Sequence, residues 1–353
     1  MTSTRGFMFR LLAIALLTAL LTGCDKSSSP PAGSGAAAGS GEGPVVANGP
    51  TEKPAEPRAI DLRTLPPLDN AKYAIRAASR LEGTCSGKAA EVLEHFRAAL
   101  EKPGWKPTTP LPKGDAGDES ASAMLSKGPD SIFLSVSRNG QGDEKQFSVG
   151  DLGTCDSSKL PRLAGAEHGY DGTISTVYFT DMQVAATAAS VRNLLLAGGW
   201  QEFDKPLMKK IESPGFVQAE YRKQGNSLRV LVSAAAGSEN RSSVKYVIGA
   251  IGHELPAPAN ATGVEFDDAL WMMRCTIPGD LEPTAKYYRT AMPELGFDPP
   301  QDLDMSETDM VLTCESKDKD VVIIKLHFDG DNTHAELHGI SAYARKNAGK
   351  GGS

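Results

Sequence analysis

The chain has 353 residues, a formal net charge of −7 and a pI near 5.5. That length accommodates two or three domains, and an apolar content of 40% supports packed cores. Acidic and basic residues are interspersed, and no Lys/Arg stripe alternates with aromatics, which excludes the electrostatic footprint of a nucleic-acid binder.

Residues 1–23 read as an export signal rather than as part of the fold. Arg5 and Arg10 supply a positive start, and the apolar run 11–21 is well short of the roughly 20 residues that cross a bilayer. The run ends in Leu21-Thr22-Gly23-Cys24. This box resembles the lipobox of bacterial lipoproteins, which signal peptidase II cuts ahead of the cysteine. The resemblance implies that Cys24 carries the lipid, diacylglycerol and palmitate, and that the protein is anchored in the bacterial cell envelope facing the periplasm. Each buried methylene contributes about 0.8 kcal/mol, so several chains on one thiol hold firmly. Asp25 favours retention in the inner membrane over the outer.

Residues 24–64 form the lipidated cysteine and a disordered linker. Ser, Gly, Ala and Pro dominate, as in Ser27-Ser28-Ser29-Pro30-Pro31 and Gly39-Ser40-Gly41, and apolar periodicity is lacking. Forty flexible residues reach roughly 35 Å, enough to hold a folded part clear of lipid headgroups.

A phrase then occurs three times. It begins at Leu65-Pro66, at Leu160-Pro161 and at Leu255-Pro256, and each copy ends in Ala, at Ala71, Ala166 and Ala261. The spacing is constant: 160 − 65 = 95 and 255 − 160 = 95. Three modules follow, at 65–159, 160–254 and 255–341, with a frayed tail at 342–353. A unit of this size can hold its own core, unlike a solenoid repeat.

Each module opens with an extended stretch, at 78–81, 174–179 and 270–275. An amphipathic helix follows. In the first module Ala89, Val92, Leu93, Phe96 and Leu100 share one face; in the third Leu281, Ala285, Tyr288 and Met292 do. In the second, Thr180 or Asp181 is the expected N-cap before Val184, Val191, Leu194 and Leu195. All three helices stop at a glycine followed by an aromatic: Gly104-Trp105, Gly199-Trp200 and Gly296-Phe297. Glycine suits the left-handed residue that ends a helix, and the aromatic then anchors the helix end in the core. Three further strands are read at 121–126, 132–134 and 146–149, with counterparts at 217–222, 228–232 and 244–248, and at 310–316, 321–326 and 335–340. The expected fold is α+β: three tandem β-α-β-β-β modules, each one helix on a mostly antiparallel sheet, as three beads rather than one merged core. A lipid anchor, a disordered stretch and helix-on-sheet modules broadly resemble the lipoprotein subunits of the outer-membrane β-barrel assembly machine, in architecture alone.

Export changes the reading of the cysteines. Beyond Cys24 remain Cys85, Cys155, Cys275 and Cys314, and four thiols in an oxidising compartment point to two disulfides with three possible connectivities. Were strands one, two and four to run parallel, Cys85–Cys155 and Cys275–Cys314 would lie within reach. Each bridge would then stabilise its module by roughly 3.5–4.5 kcal/mol, leaving the second module the least stable.

One cluster could carry chemistry. Asp329-Gly330-Asp331-Asn332 joins the last two strands, and pairing Phe328 with Thr333 sets His327 opposite His334 and Lys325 opposite Glu336. Alternation then places His327, His334, His338 and Glu336 on one face. Imidazoles and a carboxylate can ligate Zn²⁺ or Cu²⁺; the alternative is a solvated outer sheet face. The Asp329 turn lacks the spacing of a calcium loop, and His253-Glu254 lacks the second histidine of a zincin motif. The acidic run Asp298, Asp302, Asp304, Glu307 and Asp309 reads as a solvated loop. The tail with Arg345, Lys346 and Lys350 is a further place for anionic lipid to touch.

The sequence therefore leads to a membrane-anchored envelope lipoprotein that binds or scaffolds an envelope protein partner without catalysis. A metal-binding or sensing lipoprotein using the third module is the alternative. An envelope hydrolase is the second alternative, and no nucleophile–base pair supports it.

Overall fold

A computed structural model describes residues 59–108, 119–139, 143–206, 212–213, 215–237, 240–342 and 345. The signal, Cys24, most of the linker and most of the tail lie outside the described residues. Among the described residues, no helix is long and apolar enough to cross a membrane.

Strand alternation builds three antiparallel sheets, each with one helix on its apolar side. The first module contains β1 (Lys72–Arg76), β2 (Arg80–Cys85), α1 (Ala89–Glu101), β3 (Lys106–Pro107), β4 (Ser120–Lys127), β5 (Asp130–Arg138) and β6 (Lys145–Gly153). Its six strands stand in the order β1-β2-β6-β5-β4-β3. The second contains β7 (Glu167–Asp171), β8 (Ser175–Thr180), α2 (Val184–Ala197), β9 (Gln201–Phe203), β10 (Glu212–Ser213), β11 (Phe216–Lys223), β12 (Asn226–Ala234) and β13 (Ser242–Ala250). These form a seven-stranded sheet, β10-β11-β12-β13-β8-β7, with β9 also on β11. The third contains β14 (Thr262–Asp267), β15 (Met272–Pro278), α3 (Leu281–Glu294), β16 (Gln301–Met305), β17 (Asp309–Glu315), β18 (Val321–Phe328) and β19 (Asn332–Ile340). Its order, β14-β15-β19-β18-β17-β16, repeats that of the first sheet.

The α+β class and three sheet-and-helix units stand as expected, but the β-α-β-β-β order does not. Each unit carries an extra strand before the expected first one (β1, β7, β14) and a short one after its helix (β3, β9, β16). These strands lie at or near the sheet margins, and β7 and β16 are exposed along their whole length. Strands β3, β7 and β16 bury nothing, so no apolar alternation marks them in the sequence, and β1, β9 and β14 bury only one or two residues each, Ile75, Phe203, and Val264 with Phe266.

Helix faces follow the periodicity. Ala89, Val92, Leu93, Phe96 and Leu100 are the buried residues of α1, and Leu281, Ala285, Tyr288 and Met292 are buried in α3 together with Thr284. Helix α2 buries Val184, Thr187, Val191 and Leu195, while Leu194 is half-buried. The N-cap of α2 is Gln183, not Thr180 or Asp181, and its side chain makes no capping bond. Thr180 is instead the buried last residue of β8.

The period of 95 is visible in the hydrogen bonds. Leu62 donates its backbone N–H to Ala78 at 2.8 Å, and Ser157 donates to Thr173 at 2.8 Å; donor and acceptor each move by 95. The turn closing the repeated phrase is Ala71 N–H to Leu68 (3.3 Å), Ala166 to Leu163 (3.1 Å) and Ala261 to Pro258 (3.0 Å). At the helix ends Gly104, Gly199 and Gly296 take φ of 97, 79 and 87°. Each following aromatic donates its N–H to the carbonyl five residues back: Trp105 to Leu100, Trp200 to Leu195 and Phe297 to Met292. This is the Schellman closure that left-handed glycine permits. Trp105 and Trp200 are buried, and Phe297 packs half-buried on the third core.

The linker is shorter than expected at its C-terminal end. Leu62–Thr64 forms a 3₁₀ turn capped by the Asp61 carboxylate, and Leu62 is fully buried. The same turn recurs at Ser157–Lys159 under Asp156, again 95 residues on. The Asp61 and Asp156 pair is the signal that would have moved the module start upstream.

Neither expected disulfide exists. Strands β2 and β6 are antiparallel, with Cys85 opposite Lys145 and Arg80 opposite Gly150. Cys155, beyond the far end of β6, is therefore about 17 Å or more from Cys85 along the strands. Strands β19 and β18 stand between β15 and β17, so Cys275 and Cys314 are about 14 Å apart across the sheet alone. A disulfide needs Cα atoms within about 7 Å. Cys85, Cys275 and Cys314 are buried free thiols, and burial raises the pKa of each, that of Cys314 to about 12. The second module is therefore not set apart by the lack of a disulfide.

The modules keep three separate cores but are not independent beads. Leu152 of β6 belongs to the second core, with Met124 and Phe133 of the first module packed against it. Phe203 joins the third core and meets Phe266 edge-on at 5.5 Å. The guanidinium of Arg222, 4% exposed, donates to Gln201 Oε1 and to the Leu255 carbonyl and lies over the Phe266 ring. Asp268 closes the set. Its Oδ2 accepts from Arg80 Nη1 at 2.8 Å and from Gly252 N–H at 2.9 Å, and its Oδ1 from His253 N–H at 2.7 Å.

We expect Asp268→Ala to cost about 2 kcal/mol, because it leaves the Gly252 and His253 N–H groups without an acceptor and removes one of the two carboxylates on Arg80, Glu82 remaining. Urea unfolding of the variant against the parent chain measures that loss, and small-angle X-ray scattering should show a larger radius of gyration.

Candidate functional site

The outer face of the third sheet brings three histidines, three carboxylates and Arg274 together. The register of β18 and β19 is the one the turn implies: Phe328 opposite Thr333, His327 opposite His334, Lys325 opposite Glu336, Ile323 opposite His338. Leu326, Ala335 and Leu337 point to the core, and His327, His334 and Lys325 are exposed. The two imidazoles face one another with centroids 6.5 Å apart and planes at 20°. A shallow groove of about 510 Å³ runs past them, lined also by Arg274, Thr276, Asp309 and Glu336.

The four candidate metal ligands do not converge. His327 Nδ1 lies 2.8 Å from Asp309 Oδ1, His334 Nε2 2.8 Å from Asp329 Oδ2, and His338 Nε2 2.9 Å from Glu336 Oε1. Each imidazole has its own carboxylate. His334 and His338 are four residues apart on one strand, about 13 Å, whereas two ligands of one ion lie about 4 Å or less apart. Among the described residues no three His, Cys, Asp or Glu side chains are grouped to hold a metal ion. The expectation of a Zn²⁺ or Cu²⁺ site at His327, His334, His338 and Glu336 is corrected accordingly: a shared face is not a shared point.

The pairing shapes the charge of this face. Backbone N–H groups of Asn332 and Asp331, with His334, hold Asp329 down at about 2, the Asn332 donor being the largest influence. The Thr308 hydroxyl and then His327 lower Asp309. His338 and then Arg274 lower Glu336. The Asp329 carboxylate builds the hairpin turn itself, accepting from Asn332 N–H at 2.8 Å and Asp331 N–H at 3.1 Å. Sequence reasoning missed Arg274, which donates to Glu336 Oε1 at 2.8 and 2.6 Å. Strands β15 and β19 are joined by no tight turn, so nothing local sets Arg274 opposite Glu336.

The acidic run is not a loop. Its centre is β16, whose Gln301–Met305 are all exposed at the margin of the third sheet. Leu303 is 64% and Met305 67% exposed, the two largest values among the exposed bulky apolar side chains. Such an edge presents backbone groups beside apolar surface, with the Met305 N–H taken by the Asp304 carboxylate at 2.9 Å and a register shift against β17 between Asp302 and Asp304. Strand β7 is a second exposed margin, carrying Tyr170.

In His334→Ala the Asp329 carboxyl should titrate above the parent value of about 2 but below an ordinary carboxylate, since both backbone donors remain. Carbon-detected NMR titration reads this directly, and an unchanged midpoint would remove His334 from the account. A carboxylate with a lowered folded pKa contributes stability that is complete above about pH 4 and fades as pH falls toward 2. The acid limb of unfolding should therefore flatten in the variant.

Comparison with family models, with characterised proteins and with solved structures finds no match to this chain.

Proposed function

We propose that this chain is a lipid-anchored protein of the bacterial cell envelope that faces the periplasm and binds or scaffolds an envelope protein without catalysing a reaction. Leu21-Thr22-Gly23-Cys24 supports the anchor, and Asp25 favours the inner membrane. The segment between Cys24 and Ala59 is long enough to carry the folded modules roughly 30 Å from the bilayer. The observation that carries the binding role is the exposed β16 margin with Leu303 and Met305. Apolar side chains beside the backbone groups of a sheet edge suit strand addition.

Two measurements test this. Cys24→Ala should abolish palmitate labelling and move the chain from the membrane to the soluble fraction; a variant that still labels would remove the anchor. A photoreactive residue at 303 should give one defined protein adduct in intact envelopes, whereas the same residue at Pro129, exposed on the β4–β5 turn, should not. Equal yields at both positions would remove the binding role.

A further inference from the structure

We propose that the β16 margin takes up an extended segment of the partner protein as an added strand, and that this segment carries both basic and apolar residues. The inference rests on the binding role above and deepens it by stating what is bound.

The molecule already uses the corresponding station of the second module. In the second module, four residues past the helix-end aromatic Trp200, Asp204 donates its N–H to Val264 and accepts from Phe266 N–H, both at 2.8 Å. The station after α2 thus bonds to β14, the first strand of the next module, as a parallel bridge. Among the described residues no further sheet follows the third. Gln301, likewise four residues past Phe297, opens β16, and among the described residues no strand lies beyond it.

Charge selects the occupant. Asp302 and Asp304 lie on the strand on either side of a register shift, Glu307 follows in its turn, and Asp309 opens β17. Arg289 pairs with Asp302 and His327 with Asp309. Asp304 and Glu307 have no ion pair among the described residues, and Asp304 closes on the Met305 N–H at 2.9 Å. Like charges facing each other across a strand pair are unfavourable, and opposite charges favourable. An acidic edge therefore discourages another acidic strand and favours lysine or arginine. Leu303 and Met305 call for apolar cover between those charges. The chain's own basic tail after Arg345 supplies the charge but, being Lys346-Asn347-Ala348-Gly349-Lys350 and then Gly and Ser, no large apolar residue. A partner segment supplies both.

The test uses the full mature chain in detergent and an end-blocked octapeptide alternating lysine and valine. Amide NMR should show saturable shifts centred on residues 301–305. Asp304→Lys, an exposed position that leaves the circular dichroism of the fold in place, should weaken binding at least tenfold. A peptide alternating glutamate and valine should not bind. Methylating alternate amide nitrogens of the lysine–valine peptide should abolish binding, since that removes donors without changing charge. The proposal is overturned if the glutamate peptide binds as well, if the methylated peptide binds unchanged, or if the shifts fall on β7 instead. It is also overturned if the edge is already filled, either by a second copy, seen as self-association that Asp304→Lys abolishes, or by the tail, seen as peptide binding only after truncation at Arg345. No peptide binding together with a defined adduct at 303 sinks this inference and leaves the binding role standing. No peptide binding and no adduct removes both.

Discussion

The carboxylate of Asp268 is the constraint on which the arrangement of the modules depends. In the first two modules the equivalent hydrogen bond ends on a backbone carbonyl, that of Ala78 or Thr173. In the third the acceptor at that position in the repeat is the Asp268 side chain, which takes Gly252 N–H. A carbonyl offers one oxygen and no net charge. A carboxylate offers two oxygens and a full charge, so Asp268 also holds His253 N–H and reaches the first module through Arg80. Its side chain is only 11% exposed, so solvent screening of the pair with Arg80 is weak. A local turn bond has become a contact among parts of the chain nearly 190 residues apart.

Around that contact the same unit is used three times with different margins. The helix closures are common to all three because each core needs its helix anchored at the same point. The outer surfaces differ because only part of each is needed for packing. The first sheet gives Met124, Phe133 and Leu152 to the second core. The second gives Phe203 and Arg222 to its contact with the third. Among the described residues no sheet follows the third, and its outer face and its β16 margin carry exposed ionic and apolar groups.

The ionic groups of that face are arranged in pairs rather than around a centre. A strand spaces same-side residues about 6.6–6.8 Å apart, and neighbouring strands lie about 4.8 Å apart. Histidines spread over such a lattice each find a nearby carboxylate before they find one another. Asp309 from β17, Asp329 from the turn and Glu336 from β19 take the three imidazoles separately.

Much was legible from residue order alone. The period of 95 located the modules, helical spacing identified the buried faces of α1 and α3, and Gly-aromatic pairs marked the helix ends, because these are local and repeated. The β18–β19 register was also legible, since a short turn leaves a hairpin little choice. Four features were decided only by the tertiary structure: the marginal strands, the placement of the cysteines, the partners of the histidines and the role of Asp268. All four depend on which distant strands become neighbours and in which direction they run. That choice is made by packing whole units together, and no short stretch of chain contains the groups that settle it.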